Sequence, residues 1–187
     1  MENRVGFWPR VAASLIDFVV VSALAFLAKG LVESAFPGIY AHKIAEATAD
    51  PRAAAAKNFI TAFVGWGIAA GLIGPFYGLI EGLTGRSPGK LLTGLRVVDE
   101  AGQVPPLGTL LVRYLVKSSS SLIAFAAVFV GAKALDLVSQ IVAWGIILGF
   151  FLVLTKSRQA LHDKIAGTAV MRKRDVHAPA LSAGHPA

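Results

Sequence analysis

Long apolar runs alternate with short polar gaps along the chain, and the runs set its architecture. Four of them, residues 11–28, 59–83, 113–132 and 137–155, approach the roughly 20 residues that cross a hydrocarbon core of about 30 Å. No narrow amphipathic stripe organises them, so each reads as a helix with apolar surroundings on all sides. The gaps predict smaller elements. Asp50-Pro51 ahead of an Ala-rich stretch supplies an N-cap and a first-turn proline, the start of a helix that continues into the second run. In the gap 84–112, Ser87-Pro88-Gly89-Lys90 is a turn or helix start, and Lys90-Leu91-Leu92 suits an interface. Leu95-Arg96-Val97-Val98-Asp99 alternates, Glu100-Ala101-Gly102 turns and Gln103-Val104-Pro105-Pro106 returns, which predicts a short hairpin. A further β-prone run at 167–171 is placed to pair with it and cap one end of the bundle. The expectation is an all-α membrane protein, a four-transmembrane-helix bundle with a small cytoplasmic β-hairpin cap. It forms one domain over residues 1–173, followed by a disordered tail over 174–187 rich in Ala, Pro and Gly.

Composition makes lipid the solvent. Of 187 residues, 55% are hydrophobic and 16% charged, against about 25% charged in a soluble domain, and mean hydropathy is +0.65. The net charge of +7 does not signal nucleic acid, because the basic residues occupy the gaps without interleaved aromatics. They set orientation instead. Lys and Arg number two before the first run, five in the gap 84–117 and six after residue 155, against four in 29–58 and one between runs three and four. The richer side is the cytoplasm, so both termini are expected there, in a bacterial-type inner membrane. Arg4, Arg10 and Ala23-Leu24-Ala25 have the layout of a signal peptide, but Asp17 inside the run and the run's length argue for an uncleaved helix. The absence of cysteine excludes disulfides and thiolate chemistry.

Candidate chemistry begins at Asp17. Arg10, Ser14 and Asp17 are spaced four and three apart, which at about 100° per residue puts them on one stripe roughly 60° wide. An Asp in the middle of a lipid-facing helix costs about 2.5–3.5 kcal/mol, so Asp17 is expected to face the bundle interior. Arg10, about 10 Å away along the axis, reaches towards it or towards the headgroups. Two roles fit Asp17: a cation or proton site, or a buried pair that fixes packing. In the second run Gly67, Gly71, Gly74, Gly78 and Gly82 form a small-residue stripe for close helix packing, and Pro75 bends the helix. Glu81 at the stripe's edge is either a second carboxylate of an ion path or an interfacial partner of Arg86 or Lys90. After the fourth run, Arg158, Gln159, His162 and Asp163 make a dense polar cluster in which Gln159 and Asp163 share a face if the segment is helical. His162 titrates near neutral pH. One His and one Asp do not make a metal site, and no cofactor is implied. Ser87-Pro88-Gly89-Lys90 matches a Ser-x-x-Lys motif, but its companion motifs do not follow, and Gly85 to Lys90 is one residue short of a phosphate loop.

These residues resemble the RDD family of membrane proteins, named for one Arg and two Asp. The likeness rests on Arg10 and Asp17 in Pro9-Arg10-Val11-Ala12-Ala13-Ser14-Leu15-Ile16-Asp17 and on Asp163 in Arg158-Gln159-Ala160-Leu161-His162-Asp163-Lys164. The central segment from Gly85-Arg86-Ser87-Pro88-Gly89-Lys90 to Leu95-Arg96-Val97-Val98-Asp99 adds to it, over roughly residues 5 to 173. The resemblance implies transport of a ligand, and some members are cation/proton antiporters. The leading expectation is exchange of a monovalent cation for protons, with Asp17 carrying the charge, Arg10 tuning it, and Asp163 with His162 forming a cytoplasmic gate. The alternative is a non-transporting interaction module whose Arg/Asp network is structural. An enzyme is not expected, since no nucleophile–base pair is visible. Four short helices leave little room for a pathway, so a homodimer or larger assembly in the lipid bilayer is expected.

Overall fold

The structure, a computed structural model, describes residues 3–50, 56–130 and 133–176. Helix α1 spans Phe7–Ala35, α2 Pro37–Ala47, α3 Lys57–Thr84, α4 Pro88–Leu92, α5 Leu107–Val130, α6 Lys133–Phe150 and α7 Leu161–Ile165. Strands β1, Leu95–Asp99, and β2, Thr168–Arg172, complete it with 3₁₀ turns at Phe151–Leu154 and Lys173–Asp175. Four helices among the described residues are long and apolar enough to cross a membrane. They leave Trp8, Phe26, Leu27 and Leu31 about three-quarters exposed, a surface that water would penalise and lipid does not.

The spanning helices pack in the order α1, α3, α5, α6. Several ends differ from the hydropathy reading. The first helix runs on to Ala35 and is followed by α2, a short helix with Pro37 at its start. Its modest length and mixed polarity hid it within the polar gap. The Tyr40 hydroxyl donates to the Gly65 carbonyl at 2.8 Å, and Lys43 reaches Asp136 at 3.1 Å in the first turn of α6. The third span starts at Leu107, after Pro105-Pro106, and not at Arg113. The helix start expected at Asp50-Pro51 falls on residues 51–55, outside the described residues, as do residues 177–187 of the expected tail.

The cap is a two-stranded sheet, but not a local hairpin. β1 pairs antiparallel with β2, with Val97 opposite Val170. The return strand expected at 103–106 does not form; the Asp99 N–H donates to the Gln103 carbonyl at 2.9 Å and closes a turn there. Adjacent prolines at 105 and 106 cannot supply ladder donors, which favours the distant partner. Val5 donates to the Val170 carbonyl at 2.9 Å, so the segment before α1 lies along β2. Val5, Ala13, Leu95, Val97, Leu110 and Val170 form the apolar cluster under the sheet. Gly85 ends α3 with φ +70°, a left-handed C-cap, and its carbonyl accepts the Val97 N–H at 3.0 Å, fixing β1 to the end of α3.

The glycine stripe packs only in part. A Cβ at Gly82 would lie 2.8 Å from Tyr114 Cβ and one at Gly78 3.4 Å from Tyr114, so these two let α3 and α5 approach. Nothing lies within 4 Å of such an atom at Gly67, Gly71 or Gly74, and Gly67 and Gly71 instead line a cavity of about 480 Å³ facing α2. The tightest position is one that the stripe does not include. At Gly89 a Cβ would stand 2.1 Å from the Ala13 carbonyl oxygen, so α4 sits on α1 only because residue 89 lacks a side chain. Gly89→Ala is expected to lower the melting temperature in detergent and the folded yield sharply, and Gly74→Ala to leave both unchanged. Equal melting of the two variants would contradict this packing.

Candidate functional site

Asp17 lies ten residues into α1, facing α3 and α4. Its Oδ1 accepts from the Tyr77 hydroxyl at 2.6 Å and the Gly89 N–H at 2.7 Å, and its Oδ2 from the Ser87 hydroxyl at 2.6 Å. Ser87 is the N-cap of α4 and Pro88 its first residue, so the carboxylate satisfies a donor that a helix start otherwise leaves unpaired. Asp17 therefore anchors α4. Arg10 does not pair with it. The shared stripe placed them together, but Arg10 sits below, where its guanidinium meets Asp163 at 2.5 Å and donates to the carbonyls of Val5 and Arg158 at 3.2 and 2.8 Å. Arg158 adopts a left-handed backbone, φ 49°, in the turn before α7, and this points its carbonyl at Arg10. Ser14 is exposed on α1.

Asp163 is fully buried. Arg10 and the Ala160 N–H, at 3.2 Å, donate to Oδ2, and Arg113 Nε donates to Oδ1 at 2.8 Å. Arg113 also bonds Glu81, whose carboxylate takes Lys90 at 2.6 Å on the same oxygen and Lys117 at 2.6 Å on the other. The chain Arg10–Asp163–Arg113–Glu81, with Lys90 and Lys117, joins α1, α7, α5, α3 and α4 through four cations and two carboxylates. Glu81 thus answers Lys90 and not Arg86. Gln159 precedes α7 instead of sharing its face with Asp163; its amide donates to the Thr168 carbonyl at 2.8 Å and to Glu100 at 3.2 Å. Sequence reasoning missed Arg113 as the bridge and Tyr77 and Ser87 as the partners of Asp17. The readable signal for Arg113 was an isolated Arg within Leu110-Leu111-Val112-Arg113-Tyr114-Leu115, four residues before Lys117.

Burial governs the titration of the groups at the cap. It would raise the Asp163 carboxyl, but the charges of Arg113 and Arg10 override it and hold the group well below the usual carboxylate range. Burial, reinforced by Arg113, holds His162 down to about 3, so the neutral ring expected to titrate near pH 7 does not. Burial also brings Lys90 down to about 7, against the pull of Glu81.

The cations face a groove of about 570 Å³ between α1 and α6. Arg10, Lys90, Arg113, Lys117, His162 and Ser14 supply its polar lining; Asp17, Glu81 and Asp163 do not line it. Among the described residues no group of three or more His, Asp or Glu could hold a metal.

Four apolar helices bound to a small two-stranded cap by a buried ion network define a polytopic integral membrane protein. The sequence pattern of the RDD family matches residues 4–167, and the chain belongs to that family. No curated protein and no solved structure matches it.

Removing one partner of a buried ion pair costs about 3–5 kcal/mol. Asp163→Asn, which leaves Arg10 and Arg113 without an anionic partner there, is expected to destabilise by that order in detergent unfolding; a loss under about 1 kcal/mol would contradict the network's role. The pH dependence has one sign. Asp163 contributes stability above the unfolded carboxylate range near 4 and loses it below. His162 stays neutral when folded but protonates when unfolded below about 6.5, and Lys90 stays charged when unfolded up to about 10.4. In each window the unfolded chain binds more protons, so melting temperature should rise from pH 4 to pH 9. His162→Asn should flatten the rise between about 4 and 6.5. A melting temperature that falls over this range contradicts it.

Proposed function

We propose that this RDD-family protein is a non-catalytic, transport-related protein of a bacterial-type cytoplasmic membrane that handles a small anionic ligand, with the ion network as the frame of its binding site. One observation carries this reading: every formally charged side chain that lines the groove is cationic, while the carboxylates stand behind the lining. Facing charges of one sign in a low-dielectric wall favour the opposite charge in a ligand. Arg10, Arg113 and Lys117 outnumber the network's two carboxylates, and Lys90 adds a further cation below about pH 7, which leaves a surplus of positive charge for a guest to neutralise.

Cation exchange at Asp17 is the less favoured reading, because three donors hold that carboxylate and α4 would have to release it at each turnover. A non-transporting interaction module is the second reading. The full set of donors around Asp163 supports it, since a structural hub needs no vacant valence. The Lys- and Arg-rich gaps fall on the face that carries the cap, so in this reading the cap and both termini are cytoplasmic. A homodimer is the proposed working unit.

Thermal unfolding of the purified protein in neutral detergent, with sodium or potassium salts at matched ionic strength, tests the proposal. Carboxylates and phosphate esters, soluble and amphiphilic, are the probes. At least one anion class is expected to raise the melting temperature by several degrees, and Lys117→Gln to reduce that rise. If no anion stabilises the fold, and sodium or potassium does so in a way that Asp17→Asn abolishes, the proposal fails in favour of cation exchange.

A further inference from the structure

The groove that carries the anionic reading has a second property, an apolar wall open to the side. Phe7, Val11, Leu15 and Phe18 recur every three or four residues on α1 and form one face of the groove. Ile147 and Phe150 of α6 stand opposite. Leu15 and Phe18 are more than half exposed and Ile147 nearly half, so the wall faces outward at the level of the spanning helices. It is not sealed inside the bundle. Phe7 packs against Phe150 and Phe151, with ring centroids 5.4 and 5.8 Å apart, and closes the groove at the cap. From Phe7 to Phe18 the α1 face is about 16 Å long, roughly one leaflet of a hydrocarbon core of about 30 Å.

The floor lies deep. Lys117 is ten residues beyond the start of α5, about 15 Å along its axis. The Lys117 side chain is 38% exposed, and its ammonium holds Glu81 with one of its donors. His162 lines the same floor, is nine-tenths or more buried, and its Nδ1 is buried with no hydrogen-bond partner among the described residues. A soluble anion would satisfy the floor and leave the apolar face bare. A molecule with an anionic head and an acyl chain satisfies both.

Resting on the anionic reading above, we propose that the α1–α6 groove binds an anionic membrane lipid from the side. Its headgroup sits on Lys117 and Lys90, beside the His162 ring, and an acyl chain lies along Phe7, Val11, Leu15 and Phe18. Charge complementarity at the floor and one leaflet's length of apolar wall select this occupant over a helix of a partner, which would bring no anion to the floor.

Native mass spectrometry of the delipidated, full-length protein tests this by titration with three probes: phosphatidylglycerol, phosphatidylcholine of the same chains, and glycerol 3-phosphate. Phosphatidylglycerol is expected to be retained at a concentration about tenfold lower than phosphatidylcholine, and glycerol 3-phosphate to give no adduct. Lys117→Gln should remove about tenfold of the preference, the size of one charged hydrogen bond. Ser14→Trp, at an exposed position on the groove wall, should weaken both lipids while the melting temperature holds. Equal retention of the two lipids, or unchanged lipid binding in a folded Ser14→Trp protein, overturns the lipid site. Glycerol 3-phosphate binding as well as the lipid does so too, but leaves the anionic reading standing. Failure of all three probes to bind overturns the lipid site, and the anionic reading falls with it only if no anion raises the melting temperature.

Discussion

A carboxylate with no exposure to solvent, Asp163, holds two arginines far apart in the sequence, Arg10 and Arg113, and the rest of the structure is arranged to make that tolerable. Taking three charges out of water costs several kcal/mol for each. That cost is met only where each lone pair and N–H finds a partner, and here the backbone supplies several: the Ala160 N–H and the carbonyls of Val5 and Arg158. The left-handed turn at Arg158 and the N-terminal segment along β2 each bring a carbonyl into this shell. A network with such demands contributes less to net stability than to uniqueness, because a slipped strand or rotated helix would strand a charge.

The same logic explains why four helices with little mutual burial hold a defined shape. In lipid the apolar effect does not press helices together, and the spanning windows are less than one-fifth buried. Polar hubs replace it. Glu81 ties α3 to α4 and α5, Asp17 ties α1 to α3 and α4, and the Tyr114 hydroxyl donates to the Pro75 carbonyl at 2.9 Å across the α3–α5 contact. Small residues matter where backbones touch, at Gly82 and Gly89, and not along a whole stripe.

Most of the architecture was readable in the sequence because bilayer thickness sets a minimum apolar length for every span. The errors have physical causes. Hydropathy marks where lipid contact begins, so it started the third span near Arg113, whereas the helix starts two turns earlier in the polar layer. Local alternation suggested a hairpin, but strand pairing is a tertiary choice and β2 offers donors that Pro105 and Pro106 lack. Helical spacing correctly grouped Arg10 with Asp17 on α1 and said nothing of Asp163, 153 residues away, which outbids Asp17 for the guanidinium. The cation-lined groove was not legible at all, since its walls come from separate elements and its sign depends on which side of each ion pair faces inward.

The buried network holds α1, α3, α4, α5 and α7 in a shape whose groove has only cationic charged residues in its lining. The central claim is that Arg10 and Asp163 act as a pair. A double-mutant cycle of Arg10→Gln and Asp163→Asn, read by unfolding in detergent, addresses it most directly. The account predicts a coupling of about 1.5–3 kcal/mol, the double variant being far less damaged than the sum of the single ones. Additivity within about 0.5 kcal/mol would contradict it.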